Sequence, residues 1–463
     1  MAISPHHGIC YSCRTSGHCT TECPLRVCAV CLRMGHTAAR CPFHLGCSGG
    51  AHCSRDEDTA SMPQVHRRLE TVATTASSVH PSYALRYAYA SGRWRIARSR
   101  YHPPKYRRIT ALAWHADVKP VALSGCTGGA LQVWDIAQNV AHQRQLHAST
   151  LHAIATLPQA PHSGVVTAGE DGCVLYTDWQ HIDTGIDSAP VRLYDATADG
   201  ALTCLASMPS HRLLIVGDQR GTITLLDARL PPPDDCRQRR RAAQCLVHAH
   251  RPGTRINAVA VDTTALGHRF ATGGADRTVK LWDVRRLDGA RPGCLTQLAH
   301  PRMVSAVCFA PHTGTRLLTT CQDNRLRVIG QLDRSDLHID TLPMPALVHS
   351  HRLQRFNSAF RAVWDPKDAT EELVMCGCAL PMSSALGTAF PESPLFRVDV
   401  LSTRPHAVVN TDGDARPAWT ASLTDPTARS SMPLNLPHAT RPWLLSATDH
   451  QIHWWAVANV EGA

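Results

Sequence analysis

The chain has 463 residues, of which 43% are hydrophobic, and its 47 Lys and Arg against 37 Asp and Glu give a formal net charge of +10. This apolar content suffices for a large packed core, which excludes a globally disordered chain, and the basic excess favours polyanionic partners such as nucleic acid. No apolar run approaches the ~18 residues of a membrane span and no signal peptide is visible. We therefore expect an intracellular protein with reduced thiols and no membrane partner.

Two copies of a metal-ligand pattern open the chain. Each copy has the spacing C-x2-C-x4-H-x4-C, which supplies the four thiolate and imidazole ligands that tetrahedral zinc prefers. Gly17 and Gly35 precede the two histidines, where glycine permits the turn that brings the imidazole to the metal. We expect two Zn²⁺ ions within residues 1–55, held by Cys10, Cys13, His18 and Cys23 and by Cys28, Cys31, His36 and Cys41.

These modules resemble CCHC zinc knuckles, which commonly hold single-stranded nucleic acid. Tyr11 offers an aromatic ring for stacking on a base in the first module, whereas the second has Ala29 at that place. The residues therefore leave two kinds of partner open, nucleic acid and protein. Cys47, His52 and Cys53 lack a complete ligand set and are not assigned.

Residues 56–106 are expected to form a linker that carries two short helices. The second of these is expected to start near Pro81 and to end at Ser91-Gly92. Such helices either pack against the following domain or grip a partner. The first helix is indicated by apolar residues at helical spacing, Val65, Leu69, Val72 and Ala73.

From residue 107 to residue 457 a strand pattern recurs at an interval of about 40–45 residues, which is typical of WD-type propeller blades. Its first strand recurs in RITALAWH (108–115), RINAVAVD (255–262) and MVSAVCFA (303–310). With two weaker copies near 361–377 and 442–456, the pattern predicts an all-β, seven-bladed WD40 propeller. A turn and third strand recur in GGALQVWD (128–135), DGCVLYTD (171–178), RGTITLLD (220–227), DRTVKLWD (276–283) and DNRLRVIG (323–330).

The sequence contains no nucleophile motif, phosphate loop or paired-carboxylate pattern above chance, and its 28 histidines are scattered. We therefore expect a binding protein and no enzyme. The basic run RQRRR (237–241) lies in a loop rich in Pro and Asp. It reads equally well as a nuclear-import signal and as a solvated loop.

Five stretches of the repeat region, in the same order, resemble damaged-DNA-binding protein 2, the WD-repeat subunit that detects ultraviolet photolesions. The sequences TTCQDNRLRV and FRAVWDPKD are more similar to plant-type members of that family than to vertebrate ones. The five stretches are RRITALAWH (107–115), VGDQRGTITLLD (216–227), ATGGADRTVKLWDVRRL (271–287), RLLTTCQDNRLRV (316–328) and HSHRLQRFNSAFRAVWDPKD (349–368).

The resemblance implies binding to damaged double-stranded DNA, in which the damaged dinucleotide is extruded and a hairpin fills the gap from the minor groove. With Trp364 as the anchor of the alignment, the inserted tripeptide falls on Gln354, Arg355 and Phe356. Vertebrate members carry an aromatic residue, an amide and a histidine there, whereas this chain has its aromatic residue last. The resemblance therefore leaves the preferred lesion open.

The resemblance also implies contacts between basic side chains and DNA phosphates at Arg108 and Arg255, each directly before the first strand of a blade. The matching residue of a later blade is Met303, so an arginine is not a requirement of the repeat. A lysine that the family uses in the first blade corresponds here to Thr127.

The stretch LWDVR (281–285) has the W-D-x-R form found in substrate receptors of cullin-RING ubiquitin ligases. By resemblance, Arg285 on the rim contacts the large propeller adaptor of such a ligase, and Trp282 and Asp283 provide the packing beneath it. The helical segment of 56–106 would assist. The implied role is nucleotide excision repair in the nucleus, with chromatin proteins as ubiquitination targets. The alternative is a zinc-knuckle WD-repeat scaffold in RNA processing.

Overall fold

The computed structural model covers most of the repeat region and the segment just before it. The eight predicted zinc ligands, the predicted helix at 65–73 and the basic run at 237–241 lie outside the described residues. The propeller belongs to the compact unit Leu85–Ala463. The described residues are 81–101, 108–115, 120–157, 164–178, 189–197, 200–227, 243–264, 267–287, 293–332, 346–349, 351, 359–378, 396–408, 414–428 and 430–457.

The described chain starts with helix α1 (Pro81–Ala90), as the sequence predicted, and continues with strand β1 (Trp94–Tyr101). The helix ends where Gly92 adopts a φ of +66°, a left-handed backbone conformation that glycine takes without a steric penalty. No helix among the described residues is long and apolar enough to cross a membrane.

The described residues form seven sheets, one for each blade of an all-β propeller, which confirms the predicted fold class. Within a blade, successive strands pair in antiparallel order, and the first strand of one blade packs against the first strand of the next. The first three blades contain β2 (Ile109–Trp114), β3 (Val121–Cys126), β4 (Ala130–Asp135) and β5 (Val140–Gln145); β6 (Leu151–Leu157), β7 (Gly164–Gly169), β8 (Cys173–Asp178) and β9 (Val191–Asp195); and β10 (Leu202–Met208), β11 (Leu213–Asp218), β12 (Thr222–Asp227) and β13 (Ala243–His248).

Blades 4 and 5 follow the same order, and their third strands fall where the repeats at 276–283 and 323–330 predicted them. A short 3-10 turn, Val284–Arg286, follows the third strand of blade 4. The strands of these two blades are β14 (Ile256–Val261), β15 (Arg269–Gly274), β16 (Thr278–Asp283), β17 (Thr296–Ala299), β18 (Val304–Phe309), β19 (Leu317–Cys321), β20 (Arg325–Ile329) and β21 (Ala346–Val348).

Blade 6 contains β22 (Val363–Trp364), β23 (Leu373–Gly377), β24 (Arg397–Ser402) and a fourth strand that follows an inserted hairpin. The hairpin strands β25 (Pro405–Val408) and β26 (Asp414–Pro417) join the sheet of blade 5, where β26 pairs with β21 in parallel. The hairpin thus covers the outer edge of blade 5, which would otherwise offer unpaired backbone groups. The fourth strand of blade 6 is β27 (Thr420–Thr424).

Blade 7 is assembled from both ends of the described chain. Its strands β28 (Leu434–Pro437), β29 (Trp443–Ala447) and β30 (Gln451–Val457) are completed by β1, which pairs with β30 in antiparallel register. Part of the segment 56–106, expected to be a linker, therefore belongs to the propeller. The sequence hid this strand because seven of the eight side chains of WRIARSRY are exposed or half-buried, and four of these are arginine or serine.

A β-bulge near the start of the first strand holds neighbouring blades together. In blades 1 to 5 the strand register shifts at this point, and in blades 1, 3, 4 and 5 the polar side chain of the extra residue is bonded to the next blade. Several of these side chains donate to the carbonyl of the residue that begins the next blade: Thr203 Oγ1 to Ile256 O (2.6 Å), Asn257 Nδ2 to Val304 O (2.8 Å) and Ser305 Oγ to Phe360 O (2.9 Å).

Helix α1 and strand β1 are anchored by buried aromatic side chains between blades 6 and 7. The rings of Tyr89 and Trp94 stack with centroids 5.2 Å apart, and both pack into the apolar core of these blades. The Tyr89 hydroxyl donates to Asp365 Oδ2 at 2.5 Å, and Arg86 Nη2 donates to Glu372 Oε2 at 2.5 Å. Burial and the Asp365 carboxylate raise the pKa of Tyr89 well above its usual value.

Replacing Trp94 by alanine tests how much ring closure contributes to stability. We expect Trp94→Ala to lower the free energy of unfolding by about 3–5 kcal/mol, because it removes a fully packed aromatic side chain. Urea denaturation followed by tryptophan fluorescence and circular dichroism measures the change. The neighbouring Arg95→Ala, whose side chain is exposed, should change stability by no more than about 0.5 kcal/mol. Equal effects of the two variants would contradict this role of Trp94.

His453 on β30 predicts a pH dependence of stability. Burial lowers the pKa of His453 from 6.5 to about 4, so this histidine is neutral in the folded state and takes up a proton on unfolding between these pH values. Stability should therefore fall as the pH decreases from 6.5 towards 4. Each such histidine contributes at most about 1.4 kcal/mol per pH unit to this slope.

The variant His453→Gln should reduce the slope of unfolding free energy against pH by about this amount, as measured by urea denaturation at a series of pH values. Because the readout is a slope, a general loss of stability in the variant does not mimic the effect. Replacement of the exposed His142 by glutamine should leave the slope unchanged. A slope that is the same in the His453 variant and the wild type would refute the prediction.

Candidate nucleic-acid interface

The residues that precede the first strand of each blade lie at the same end of the propeller. In an antiparallel blade the start of the first strand, the turn between the second and third strands, and the end of the fourth strand all lie at the same end. A recurring backbone hydrogen bond joins the first two of these features. Its copies run from Thr127 N–H to Arg108 O (2.9 Å), from Ala275 N–H to Arg255 O (2.9 Å) and from Gln322 N–H to Met303 O (3.1 Å).

Arg108 and Arg255 therefore occupy equivalent positions in blades 1 and 4. Arg255 is exposed and Arg108 is half-buried, so both guanidinium groups can reach a ligand at this end. Met303 occupies the same position in blade 5 and is also exposed, as is Thr127 beside Arg108. Arg108 donates its backbone N–H to Thr127 Oγ1 at 3.2 Å.

Four further exposed arginines lie at this end, in the turns and in the connections between blades. Single arginines in turns resemble ordinary solvated residues, so the sequence alone does not distinguish them as part of a site. We call the six arginines together the basic end: Arg108, Arg220, Arg251, Arg255, Arg277 and Arg302.

Two carboxylates at the same end accept hydrogen bonds from histidines within the blades. Asp171 is bonded to His147 Nδ1 at 2.9 Å, and Asp276 to His250 Nδ1 at 3.0 Å. The pKa of Asp276 lies well below its usual value: burial raises it, but hydrogen bonds from His250 and from the Arg251 backbone outweigh burial. The exposed arginines of the basic end place positive charge on the surface that an approaching polyanion meets.

The turn between the second and third strands demands a left-handed residue. Gly129 fills this place in blade 1 with a φ of +78°, and a Cβ atom there would lie 2.1 Å from the carbonyl oxygen of His147. In blade 4 the left-handed position is taken by Arg277, with a φ of +67°. A non-glycine residue in this conformation costs about 1–2 kcal/mol, so the backbone strain is accepted at a position where the side chain adds positive charge.

Three side chains from different blades converge near the start of their first strands. Arg255 Nη2 lies 3.5 Å from His152 Nδ1, and burial, followed by the charge of Arg255, lowers the pKa of His152 to about 4. Burial also lowers the pKa of Arg361; the neighbouring Cys204 opposes this, and Arg255 adds to it. Arg361 Nε is buried without a hydrogen-bond partner. His152 is therefore neutral near pH 7, and the guanidinium groups of Arg255 and Arg361 supply the positive charge that suits an anionic group such as phosphate.

The convergence of His152, Arg255 and Arg361 depends on ring closure and left no local signal in the sequence. The adjacent FRAVWD stretch was noted for its similarity to the family, and Arg361 is the arginine within it.

The predicted inserted residues Gln354, Arg355 and Phe356 lie outside the described residues. The residues on either side of them are placed at the basic end. His351 donates its backbone N–H to Asn324 Oδ1 in the turn of blade 5 at 3.1 Å, and Phe360 O accepts from Ser305 at the start of the same blade.

The residues expected to contact a ligase adaptor lie at the other end of blade 4. Trp282 is 2% exposed, stacks on Phe270 and donates Nε1–H to Thr272 Oγ1 at 3.0 Å, so its role is internal packing. Arg285 donates Nε–H and Nη2–H to the two carboxylate oxygens of Asp283 at 3.0 and 2.7 Å. Its side chain is nevertheless 61% exposed, and the hydrogen bonds from it hold the pKa of Asp283 below its usual value.

Comparisons with known proteins agree with this architecture. Residues 243–283 match the family model for the WD domain, G-beta repeat. The chain is 28% identical to DNA damage-binding protein 2 of Oryza sativa subsp. japonica over 75% of this chain and 55% of the relative. It is 25% identical to Protein DAMAGED DNA-BINDING 2 of Arabidopsis thaliana over 77% of this chain and 58% of the relative.

A vertebrate relative, DNA damage-binding protein 2 of Gallus gallus, is 23% identical over 57% of this chain and 49% of the relative. The chain thus spans about half the length of the curated relatives it matches. The two plant relatives show higher identity and coverage than this vertebrate one. This agrees with the similarity of TTCQDNRLRV and FRAVWDPKD to plant-type members. Along most of its length the chain is therefore similar to proteins named DNA damage-binding protein 2, which confirms the resemblance seen in its repeats.

Proposed function

We propose that this protein recognises damaged double-stranded DNA through the basic end of its propeller. The relatives named DNA damage-binding protein 2 support a role in recognising DNA damage. The observation that carries the proposal is the equivalent placement of Arg108 and Arg255 at one end, together with four further arginines. Arginines spread around one end of a ring match the phosphates of a duplex laid across it.

In this proposal the DNA backbone passes over the group formed by His152, Arg255 and Arg361. The exposed Arg255 would donate to a phosphate oxygen, and the charge of the neighbouring Arg361 would add to the attraction. Phe356 and Arg355 would fill the gap left by an extruded dinucleotide. A lesion has already weakened pairing and stacking, which lowers the extrusion cost of a few kcal/mol and thereby gives selectivity for damage.

The two predicted zinc modules fit the proposal as accessory binding elements. Two Zn²⁺ ions held by the eight ligands between Cys10 and Cys41 would fold a segment too short to build a core. Tethered to the propeller, such modules would raise the effective concentration of DNA without new propeller contacts. They would hold the unstacked strand or dock a protein.

At its other end the propeller would contact the adaptor of a cullin-RING ubiquitin ligase. Arg285 presents an exposed guanidinium group that Asp283 holds in place, and helix α1 is fixed to blade 6 by Arg86 and Tyr89. The protein would then act in the nucleus as a substrate receptor in nucleotide excision repair, and nearby chromatin proteins would be its targets. In this role it is a binding protein and performs no catalysis itself.

A competition assay with the full chain tests DNA recognition. The probes are identical duplexes with and without one photolesion, at near-physiological salt, and we expect a clear preference for the damaged duplex. Arg255→Glu should weaken binding to both probes by roughly 10–100-fold, the equivalent of about 1.5–3 kcal/mol for a charge-assisted contact. The salt dependence of log K should also fall by about one unit for the lost phosphate contact.

Arg285→Glu serves as the matched control for charge reversal, since Arg285 lies on the same blade at the opposite end, and it should leave DNA affinity unchanged. Loss of affinity in both variants would contradict the placement of DNA at the basic end. Equal affinity of the wild type for damaged and undamaged duplexes would refute damage recognition. Preferential binding to single-stranded RNA would instead favour a scaffold in RNA processing.

The proposed adaptor contact has a separate test. Arg285→Ala should reduce co-purification with the large propeller adaptor of the ligase and leave DNA affinity as in the wild type, because the side chain is exposed and remote from the basic end. Arg255→Ala is the reciprocal control and should retain the adaptor. Unchanged co-purification of the Arg285 variant would remove this residue from the contact, and loss of both activities would indicate misfolding.

A further inference from the structure

A buried group of metal-ligand side chains lies where blade 5 passes into blade 6. His349 and His351 directly follow β21, Cys376 lies in β23 and Asp399 in β24. All four residues are at most 5% exposed. One ligand atom from each of His349, His351 and Cys376 lies within 4.8 Å of the other two. Neither the sequence analysis nor the proposed DNA contacts use this group.

The blade-linking histidines at equivalent places show what a purely structural histidine does in this fold. His147 bonds Asp171 through Nδ1 and Thr167 Oγ1 through Nε2. Each of its ring nitrogens thus has a protein partner of the appropriate kind, a carboxylate that accepts and a hydroxyl that donates. His250 repeats the arrangement with Asp276 and Thr272.

His349 and His351 depart from this pattern because their outer ring nitrogens both meet acceptors. His351 Nε2 lies 2.7 Å from the carbonyl oxygen of Cys321, which can only accept, so this nitrogen carries a hydrogen. His349 Nε2 lies 3.2 Å from Asp399 Oδ2. Because Asp399 Oδ1 accepts from Arg397 and Ser422, at 2.8 and 2.6 Å, this carboxylate is an acceptor and His349 Nε2 donates to it.

When both imidazole rings are neutral and carry their hydrogen on Nε2, each Nδ1 atom has a lone pair. The two Nδ1 atoms lie only 3.2 Å apart. Two lone pairs at this separation repel each other unless a metal cation or a shared proton lies between them. A carboxylate or carbonyl behind each imidazole is also the outer arrangement that orients histidine ligands of metals. The thiol of Cys376 adds a third ligand to the two nitrogens.

We propose that His349 Nδ1, His351 Nδ1 and Cys376 Sγ bind one Zn²⁺ ion between blades 5 and 6. Two imidazole nitrogens and one thiolate form a ligand set that zinc accepts, and a water molecule would complete the tetrahedron. Asp399 and the Cys321 carbonyl would orient the imidazoles from behind. The second possible grouping, His349, Cys378 and Asp399, is less suitable because Asp399 already accepts hydrogen bonds from His349, Arg397 and Ser422.

This ion would join strand β23 to the end of β21, so its binding free energy would contribute to the stability of the junction. The site is formed by propeller residues alone and does not depend on the two zinc ions predicted near the start of the chain. It is also independent of the proposed function, because a propeller that binds no DNA would still hold the metal.

Zinc content of the full chain tests the proposal by difference. Purified wild type, His351→Asn and Cys376→Ser are dialysed against zinc-free buffer and analysed by inductively coupled plasma mass spectrometry. We expect each variant to contain one zinc fewer per chain than the wild type, whatever the ends of the chain contribute. His300→Asn is the matched control, because His300 is a buried histidine of the preceding blade junction, bonded to Thr319 Oγ1 at 3.0 Å, and it should retain the wild-type content.

A crystal of the wild-type chain gives a readout that does not depend on how the variants fold. Data collected on both sides of the zinc absorption edge should show an anomalous peak between the two Nδ1 atoms and Cys376 Sγ. Equal zinc content in the wild type and both site variants, or a crystal without this peak, would overturn the proposal. The gap between the nitrogens would then be bridged by a proton on His349.

Discussion

Ring closure is the constraint on which the rest of this structure depends. A single blade cannot bury both faces of its sheet, so each blade needs two neighbours, and the last blade must find the first. Strand β1 closes the ring by pairing with β30, and the Trp94 side chain packs into the core between blades 6 and 7. Around the ring, side chains such as Thr203 and Ser305 tie each first strand to the next. Every site discussed above depends on distances that closure sets.

Closure also explains how isolated arginines become an interface. The register of an antiparallel blade assigns a fixed end to each turn, so one substitution per repeat decides the charge of that end. Where blade 5 has Met303, blades 1 and 4 have arginine, and the same backbone hydrogen bond holds all three positions. Two aspartates of this end, Asp171 and Asp276, are bonded to histidines, whereas the arginines of the basic end are largely exposed. A repeat required for folding thus carries a pattern of charge that folding does not require.

The sequence predicted the elements whose signal is local and missed those whose signal is tertiary. Strands such as β16 were recognised because alternation and a turn residue lie within ten positions, and helix α1 because Pro81 and Gly92 mark its ends. Strand β1 was missed since its exposed basic residues mask the alternation. The hairpin β25–β26 was missed because its partner belongs to another blade. His152, Arg255 and Arg361 are spread over more than 200 positions of the chain, and no local pattern shows that they converge, as none shows that His349 meets Cys376.

The two ends of blade 4 are far enough apart to be electrostatically independent, which would let one small sheet bind both proposed partners. Arg255 precedes β14 and Arg285 follows β16, so the six residues of a strand separate them. At about 3.3 Å per residue this is roughly 20 Å, more than twice the Debye length of about 8 Å at physiological salt. A phosphate bound at Arg255 therefore hardly alters the field at Arg285, which Asp283 also pairs locally. Any coupling between DNA and a partner at the far end must then pass through packing, and the stack of Phe270 on Trp282 lies in the middle of that path.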